Sequence, residues 1–174
     1  MSFVYLTSFG DVEKRILLAC AYNIRNVFGL EVRLSSVPYP PRLGFDPVRG
    51  QYRAGAILSY LRSLDFPELV RLLALVSYDL YEEGLNFVFG EAELGGRNAV
   101  VSLFRLKHPA EETFFLRIFK EVNHELGHTF GLRHCPDPEC VMSFSNSLIE
   151  VDRKSERFCR TCAVRLSSAL EPYR

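Results

Sequence analysis

The sequence predicts a single compact α/β domain: a mixed, twisted sheet, one long helix bearing closely spaced histidines, and a small C-terminal part built around four cysteines. Three observations lead there. The chain opens strand–helix–strand, which calls for a parallel pair. Two strand-like runs separated by Gly95-Gly96 read as an antiparallel hairpin, which makes the sheet mixed. The second half then turns to helical periodicity, interrupted by a loop with cysteines at regular spacing. The 174 residues, 48% of them hydrophobic, suit one core of ordinary size. Within it we distinguish a sheet-and-helix part over residues 1–131 and a C-terminal part over 132–174.

In chain order, Phe3 to Ser8 reads as a short buried strand. Asp11 is placed to cap the next helix, where Val12, Ile16, Cys20, Ile24, Val27 and Phe28 recur at helical spacing until Gly29. Glu31 to Val37 forms the second strand, and Pro38, Pro40, Pro41 and Pro47 mark an irregular loop. A helix from Arg53 to Leu64, closed by Asp65 and Pro67, precedes Val70 to Val76, apolar enough for a central strand. Phe87 to Leu94 and Asn98 to Phe104 are the hairpin strands. Pro109, Glu111 and Glu112 suit a helix start, and Phe115, Ile118, Phe119, Val122 and Leu126 supply its apolar stripe. By 100° steps His124 and His128 fall opposite that stripe, facing a cleft. A last helix begins near Ser155, with Phe158, Cys162, Leu166, Ala169 and Leu170 inward.

The stretch that carries chemistry is His124-Glu125-Leu126-Gly127-His128-Thr129-Phe130-Gly131-Leu132-Arg133-His134, or H-E-x-x-H-x-x-G-x-x-H. Two imidazoles at i and i+4 on one helix face can grip a single metal ion, and Glu125 beside them can deprotonate a water on that ion. His134 joins them only if the helix breaks. On a continuing helix it would lie about 15 Å further along the axis than His124 and roughly 80° away. Gly131 stands where the break is needed, because glycine accepts positive φ at low cost. Chance can place two histidines four apart on an ordinary helix. The extension through Gly131 to His134 argues against chance, as does the fact that three of the chain's four histidines lie in this stretch. The fourth, His108, precedes Pro109 and reads as a surface residue. Three neutral imidazoles leave zinc an open position for water, whose pKa zinc lowers toward about 7.

Cys135-x4-Cys140 and Cys159-x2-Cys162 form a second group with the spacing of a four-thiolate zinc site. The alternatives are a pair of disulfides or unrelated thiols. Cys20, on the apolar face of the first helix, reads as core. His134 and Cys135 are adjacent, so in an extended segment their side chains point opposite ways, one to each metal.

Composition narrows the partners. Net charge is zero, which gives no general drive toward nucleic acid or anionic membrane, and no apolar run approaches a membrane span of about 20 residues. The start Met1-Ser2-Phe3-Val4-Tyr5-Leu6 lacks a secretory signal, so a cytoplasmic, reducing location is expected. We expect no nucleic acid or membrane partner, and a monomer.

The eleven-residue stretch resembles that of the metzincin metallopeptidases. Met142 looks like the methionine that those enzymes carry in a turn beneath the metal. The run from His124 to Met142, followed by Cys159-x2-Cys162, is similar to the archaemetzincin family in particular. That signature spans 39 residues, with 16 between Met142 and Cys159, one fewer than the family pattern. The resemblance implies a metzincin-like fold and a zinc-dependent peptide hydrolase, with a peptide substrate. His124, His128 and His134 would hold the catalytic zinc, Cys135, Cys140, Cys159 and Cys162 a structural one, and Glu125 would be general base. It also implies an edge strand, matched by Phe87 to Leu94, that pairs with substrate backbone. Some metzincins place a tyrosine just after the turn methionine. Here Ser143, Phe144 and Ser145 follow, and the group that stabilises the oxyanion is open. Little chain precedes Phe3, so latency by a cleaved prosegment is not expected, and a narrow cleft is an alternative means of control.

Two other readings compete with a peptidase. One is a zinc-stabilised binding or regulatory protein with little turnover. The other is a zinc ribbon on nucleic acid, suggested by Arg153, Lys154, Arg157, Arg160 and Arg165 near Cys159. Such a cluster is more often a solvated helix face, and the neutral charge argues against it.

Overall fold

The computed structural model describes residues 1–174. The chain runs β1 (Phe3–Phe9), α1 (Lys14–Phe28), β2 (Glu31–Leu34), β3 (Phe45–Asp46), β4 (Gln51–Arg53), α2 (Ala54–Arg62) and β5 (Leu69–Val76). It continues through β6 (Leu80–Tyr81), β7 (Gly90–Ala92), β8 (Asn98–Ser102), α3 (Glu111–Thr129), α4 (Leu148–Arg153) and α5 (Arg160–Leu170), and ends in a 3₁₀ turn. Five strands form the main sheet in the order β2-β1-β5-β8-β7. All neighbours are parallel except β7, which runs antiparallel to β8 at one edge. The expected strand–helix–strand opening, the central strand and the mixed sheet are all present.

Alternation along the strands sorts the core into two layers. Val4, Leu6, Leu73 and Leu75 face α1, α3 and α5, and join the larger cluster. Phe3, Tyr5, Leu72 and Ala74 face α2 and pack with Ile57, Leu58 and Leu61. On α1 the buried stripe is Ile16, Cys20, Ile24 and Phe28, each one turn from the last. Cys20 is therefore core, as expected. Val141, Met142, Val151, Cys162, Leu166 and Leu170 belong to the larger cluster too, so the C-terminal part completes the same core within one α/β domain.

Several elements differ from expectation. Glu13, not Asp11, occupies the N-cap of α1, and its side chain makes no capping bond. β2 stops at Leu34, ahead of the proline-rich loop. The expected Phe87–Leu94 strand is divided: Val88 bridges to Leu80, while only Gly90–Ala92 pairs with β8. A small second sheet, β3-β4-β6, was not foreseen. α4 was likewise missed, and α5 begins at Arg160 rather than near Ser155.

α3 is the element on which the site depends. Ile118, Val122 and Leu126 press on the sheet as expected, with Phe115 and Phe119 only partly buried. Its polar residues are buried as well, and they bond to the C-terminal segment. Lys120 Nζ donates to Val151 O (2.9 Å), and Asn123 Nδ2 donates to Glu156 O (3.0 Å). Arg117 grips Asp152 with two bonds of 2.8 Å. At the far end Arg71, buried on β5, donates to Thr129 O (3.1 Å) with its guanidinium 4.0 Å from the Phe130 ring centroid. Arg71→Met keeps an apolar stem but leaves the Thr129 carbonyl without that donor. It should lower stability by about 1.5–3 kcal/mol, the usual worth of a hydrogen bond to a charged group. Chemical denaturation at fixed zinc concentration measures it.

Candidate metal centres

Two groups of side chains converge as ligand sets. His124, His128 and His134 form one, and Cys135, Cys140, Cys159 and Cys162 the other, with the ligand atoms of each set within 4.8 Å of one another. α3 carries the first two histidines into a cleft shared with Glu125, Gly90 and Phe144. His124 Nδ1 lies 2.8 Å from Val141 O, and His128 Nδ1 lies 2.7 Å from Leu132 O. A carbonyl only accepts, so each Nδ1 carries the proton and each Nε2 a bare lone pair. Those two Nε2 atoms stand 3.1 Å apart. Two lone pairs at that distance repel unless a cation lies between them, and this is the observation that fits the site to a metal. Burial pushes the pKa values of His124, His128 and His134 down, which keeps the rings neutral and able to ligate.

His134 arrives by a chain reversal built on Gly131. Leu132 N donates to Gly127 O (3.0 Å) and Gly131 N to His128 O (2.9 Å), the paired bonds of a Schellman turn. Gly131 has φ +90°, and a Cβ there would meet nothing within 4 Å. The requirement for glycine is thus conformational rather than steric. Beyond the turn the His134 ring centroid lies 5.4 Å from that of His124 and 4.9 Å from that of His128.

The floor is Met142, fully buried. A Cβ on Gly127 would come within 2.5 Å of its sulfur, so the small residue inside the motif is what lets the thioether lie against the helix. Phe144 stands against His134, with centroids 5.3 Å apart.

Glu125 is buried at the cleft, and burial first, then the nearby Glu121, pushes its pKa well above the carboxylate range. Glu91, on the edge strand, is pushed up to about 7 by burial and by Glu82 beside it. A Cβ on Gly90 would come within 2.6 Å of the Val100 carbonyl oxygen and 3.0 Å of the Glu125 side chain, so a bare residue 90 lets the edge strand lie close to both β8 and the acid. Three of these features were not legible beforehand: Gly90, Glu121 and Lys154. Lys154 corrects an expectation, because it belongs to no solvated basic face. Its side chain is fully buried, with Nζ donating to Ser143 O (3.3 Å) and 3.2 Å from Glu121 Oε1, off the line of a hydrogen bond to it. His108 is exposed and accepts from Ala110 N, as its surface reading requires.

In the second set all the cysteines are free thiols. Cys135 Sγ and Cys159 Sγ are 3.8 Å apart, close to the edge of a tetrahedron with metal–sulfur bonds of about 2.3 Å. Met142 N and Cys159 N both donate to Cys140 Sγ (3.4 and 3.3 Å), as suits a sulfur bearing negative charge. Burial pushes the Cys140 and Cys162 thiols up, so without a cation they stay protonated at neutral pH. The donor sets of both centres therefore fit zinc, one open to the cleft and one enclosed.

Residues 41–168 match peptidase family M54. The chain is 56% identical over 131 residues to the archaemetzincin of Methanopyrus kandleri, covering 75% of this chain and 74% of that one. It is 41% identical to the archaemetzincin of Archaeoglobus fulgidus, over 90% and 94% of the two chains. The crystal structure of the Methanopyrus kandleri protein superposes with a TM-score of 0.90, at 44% identity, over 98% of this chain and 96% of that one. A zinc-dependent peptidase from Methanocorpusculum labreanum superposes with a TM-score of 0.82, at 31% identity, over 94% and 99%.

Because the space around Gly131 is open, Gly131→Val tests its φ and little else. A β-branched residue is strained at +90°, so His134 should be displaced and metal occupancy at the histidine set should fall, while the cysteine set keeps its metal. Metal analysis per chain distinguishes the two. Full occupancy of both sets would show that the turn does not need glycine.

Proposed function

We infer that Glu125 is the general base of this site, on the premise that the chain belongs to the archaemetzincins, peptidase family M54, and is a zinc metallopeptidase, a hydrolase of peptide bonds. The observation that carries the inference is the placement of the Glu125 carboxyl, buried in the same cleft as the three histidines. Zinc, when held by His124, His128 and His134, supplies Lewis acidity that polarises a carbonyl and makes water a nucleophile near neutral pH. Glu125 takes a proton from the water as its oxygen bonds to the carbonyl carbon. It hands that proton to the amine nitrogen as the C–N bond breaks, so it ends each cycle as it began. Val141 O and Leu132 O hold the imidazole rings in the ligating tautomer throughout.

Substrate backbone has a natural place on β7. Glu93 N bonds to Asn98 O and Ser102 N to Phe89 O, so alternate residues turn to β8. The main-chain groups of Gly90 and Ala92 then point to the open edge, where an extended peptide can add as a strand. The four cysteines take a second zinc, giving two per chain. Residues 132–174 act as the part that this structural ion locks down, holding His134 and Met142 in place. Four reduced thiols suit a cytoplasmic setting, and no helix is long and apolar enough to cross a membrane.

Glu125→Gln keeps the shape and removes the base. Zinc content and melting temperature should stay at wild-type values while turnover on a peptide library, read by mass spectrometry, falls at least roughly 10²-fold. Turnover near wild type in that variant would remove Glu125 from the role. Chelation provides the second check. The open histidine set should lose zinc first with the fold intact, whereas loss of the enclosed ion should loosen the chain beyond Met142, since structural zinc can contribute on the order of 10 kcal/mol. Metal analysis beside circular dichroism follows both, and simultaneous loss of both ions without structural change would contradict the two-site reading.

A further inference from the structure

The tetrahedral stage of peptide hydrolysis puts negative charge on the former carbonyl oxygen, and a donor aimed at it is worth a large part of the rate. This inference rests on the peptidase reading above and concerns the donor that reading leaves unassigned. The cleft offers few choices. No Tyr, Arg, Lys or Gln lines it, and apart from the histidines and the carboxyls of Glu91, Glu121 and Glu125 its only side-chain hydrogen-bond donors are Ser145 and Asn146. Nδ1 of His124 and of His128 is committed to a backbone carbonyl with Nε2 on the metal side, and His134 gives one ring nitrogen to the same set. Ser145 Oγ is closed off from solvent and has no partner. Asn146 is exposed in the cleft, and its only hydrogen bond within the chain is made by its main-chain N–H.

We propose that the Asn146 side-chain amide donates to the substrate carbonyl oxygen and to the oxyanion that replaces it, which makes Asn146 a further catalytic residue. Its backbone is held for the task. The main-chain N–H of Asn146 donates to Glu150 Oε1 (3.3 Å). Ser147, the N-cap of α4, accepts from Glu150 N (3.4 Å) and donates to Glu150 Oε1 (3.2 Å). This is a close relative of the capping box, and it fixes the main chain on either side of the Asn146 Cα. Only two side-chain torsions stay free, so little entropy is lost when the amide engages. Phe144, two residues earlier, packs on His134, which ties the same segment to the metal ligands. The donor gives up no proton. Proton transfer runs from water to Glu125 to the leaving amine, and Asn146 supplies only the hydrogen bond that strengthens as charge develops.

The test compares zinc-loaded wild type with Asn146→Ala and Asn146→Asp, using an alanine-based phosphinic pseudopeptide and its parent peptide as probes. The phosphinate carries the tetrahedral oxygens, and the parent carries only the planar carbonyl. Calorimetry should show the phosphinate bound roughly 10²-fold more weakly by Asn146→Ala, the low end for loss of one oxyanion donor, and more weakly still by Asn146→Asp. Zinc content should be unchanged, and parent-peptide affinity, measured in a Glu125→Gln background, should hardly move. Equal phosphinate affinity in wild type and Asn146→Ala overturns the proposal, as does wild-type affinity for the phosphinate no greater than for the parent. Failure of the general-base reading is a separate result: Glu125→Gln would retain turnover, while phosphinate affinity still judges Asn146.

Discussion

A helix enclosed along its C-terminal two-thirds must satisfy the polar side chains there without water, and that constraint organises this molecule. α3 rests on the sheet with one stripe, yet Arg117, Lys120, Glu121, Asn123, His124 and Glu125 are buried too. An unpaired polar group in such a place costs on the order of 1–3 kcal/mol, and more if charged. The chain meets the demand with its own later segment. Carbonyls of Val151 and Glu156 accept from Lys120 and Asn123, Asp152 pairs with Arg117, and Lys154 comes in beside Glu121. α3 and the C-terminal part are therefore folded by the same bonds. Neither has a satisfied surface without the other.

The two metal sets are joined as closely as a chain allows. His134 faces one and Cys135 the other, and Cys135 N bonds back to Met142 O at 2.9 Å. Val141, which holds the His124 ring through its carbonyl, sits between Cys140 and Met142. A ligand of the enclosed set, an orienting group of the open set and the floor of the cleft thus follow one another within three residues. Order in the four-cysteine set becomes order in the imidazoles without any long-range device.

What could be read from sequence was whatever local spacing encodes. Two histidines one turn apart, a glycine where a helix must end and two short cysteine gaps are local statements, and the structure brings each group together. Strands β1, β5 and β8 were legible because burial on both faces leaves continuous apolar runs. The misses have a common cause in partners far away along the chain. Lys154 looks like one charge among neighbouring arginines, and only Glu121, 33 residues upstream, explains its burial. β3, β4 and β6 are two or three residues each, too short for a period, and are defined by pairing alone. Gly90 could not announce itself, since the objects that exclude a side chain there, the Val100 carbonyl and Glu125, lie on other elements.

Met142 lies under the turn of α3 between the two histidine ligands, its sulfur where any side chain on Gly127 would have to go. A thioether gains an oxygen on oxidation, and this one is fully buried. A fully buried sulfur is out of an oxidant's reach while Met142 stays packed on α3, so its oxidation follows its exposure. Met142 is thus a chemical recorder of how often the centre opens, written in a mass increment that outlasts the event.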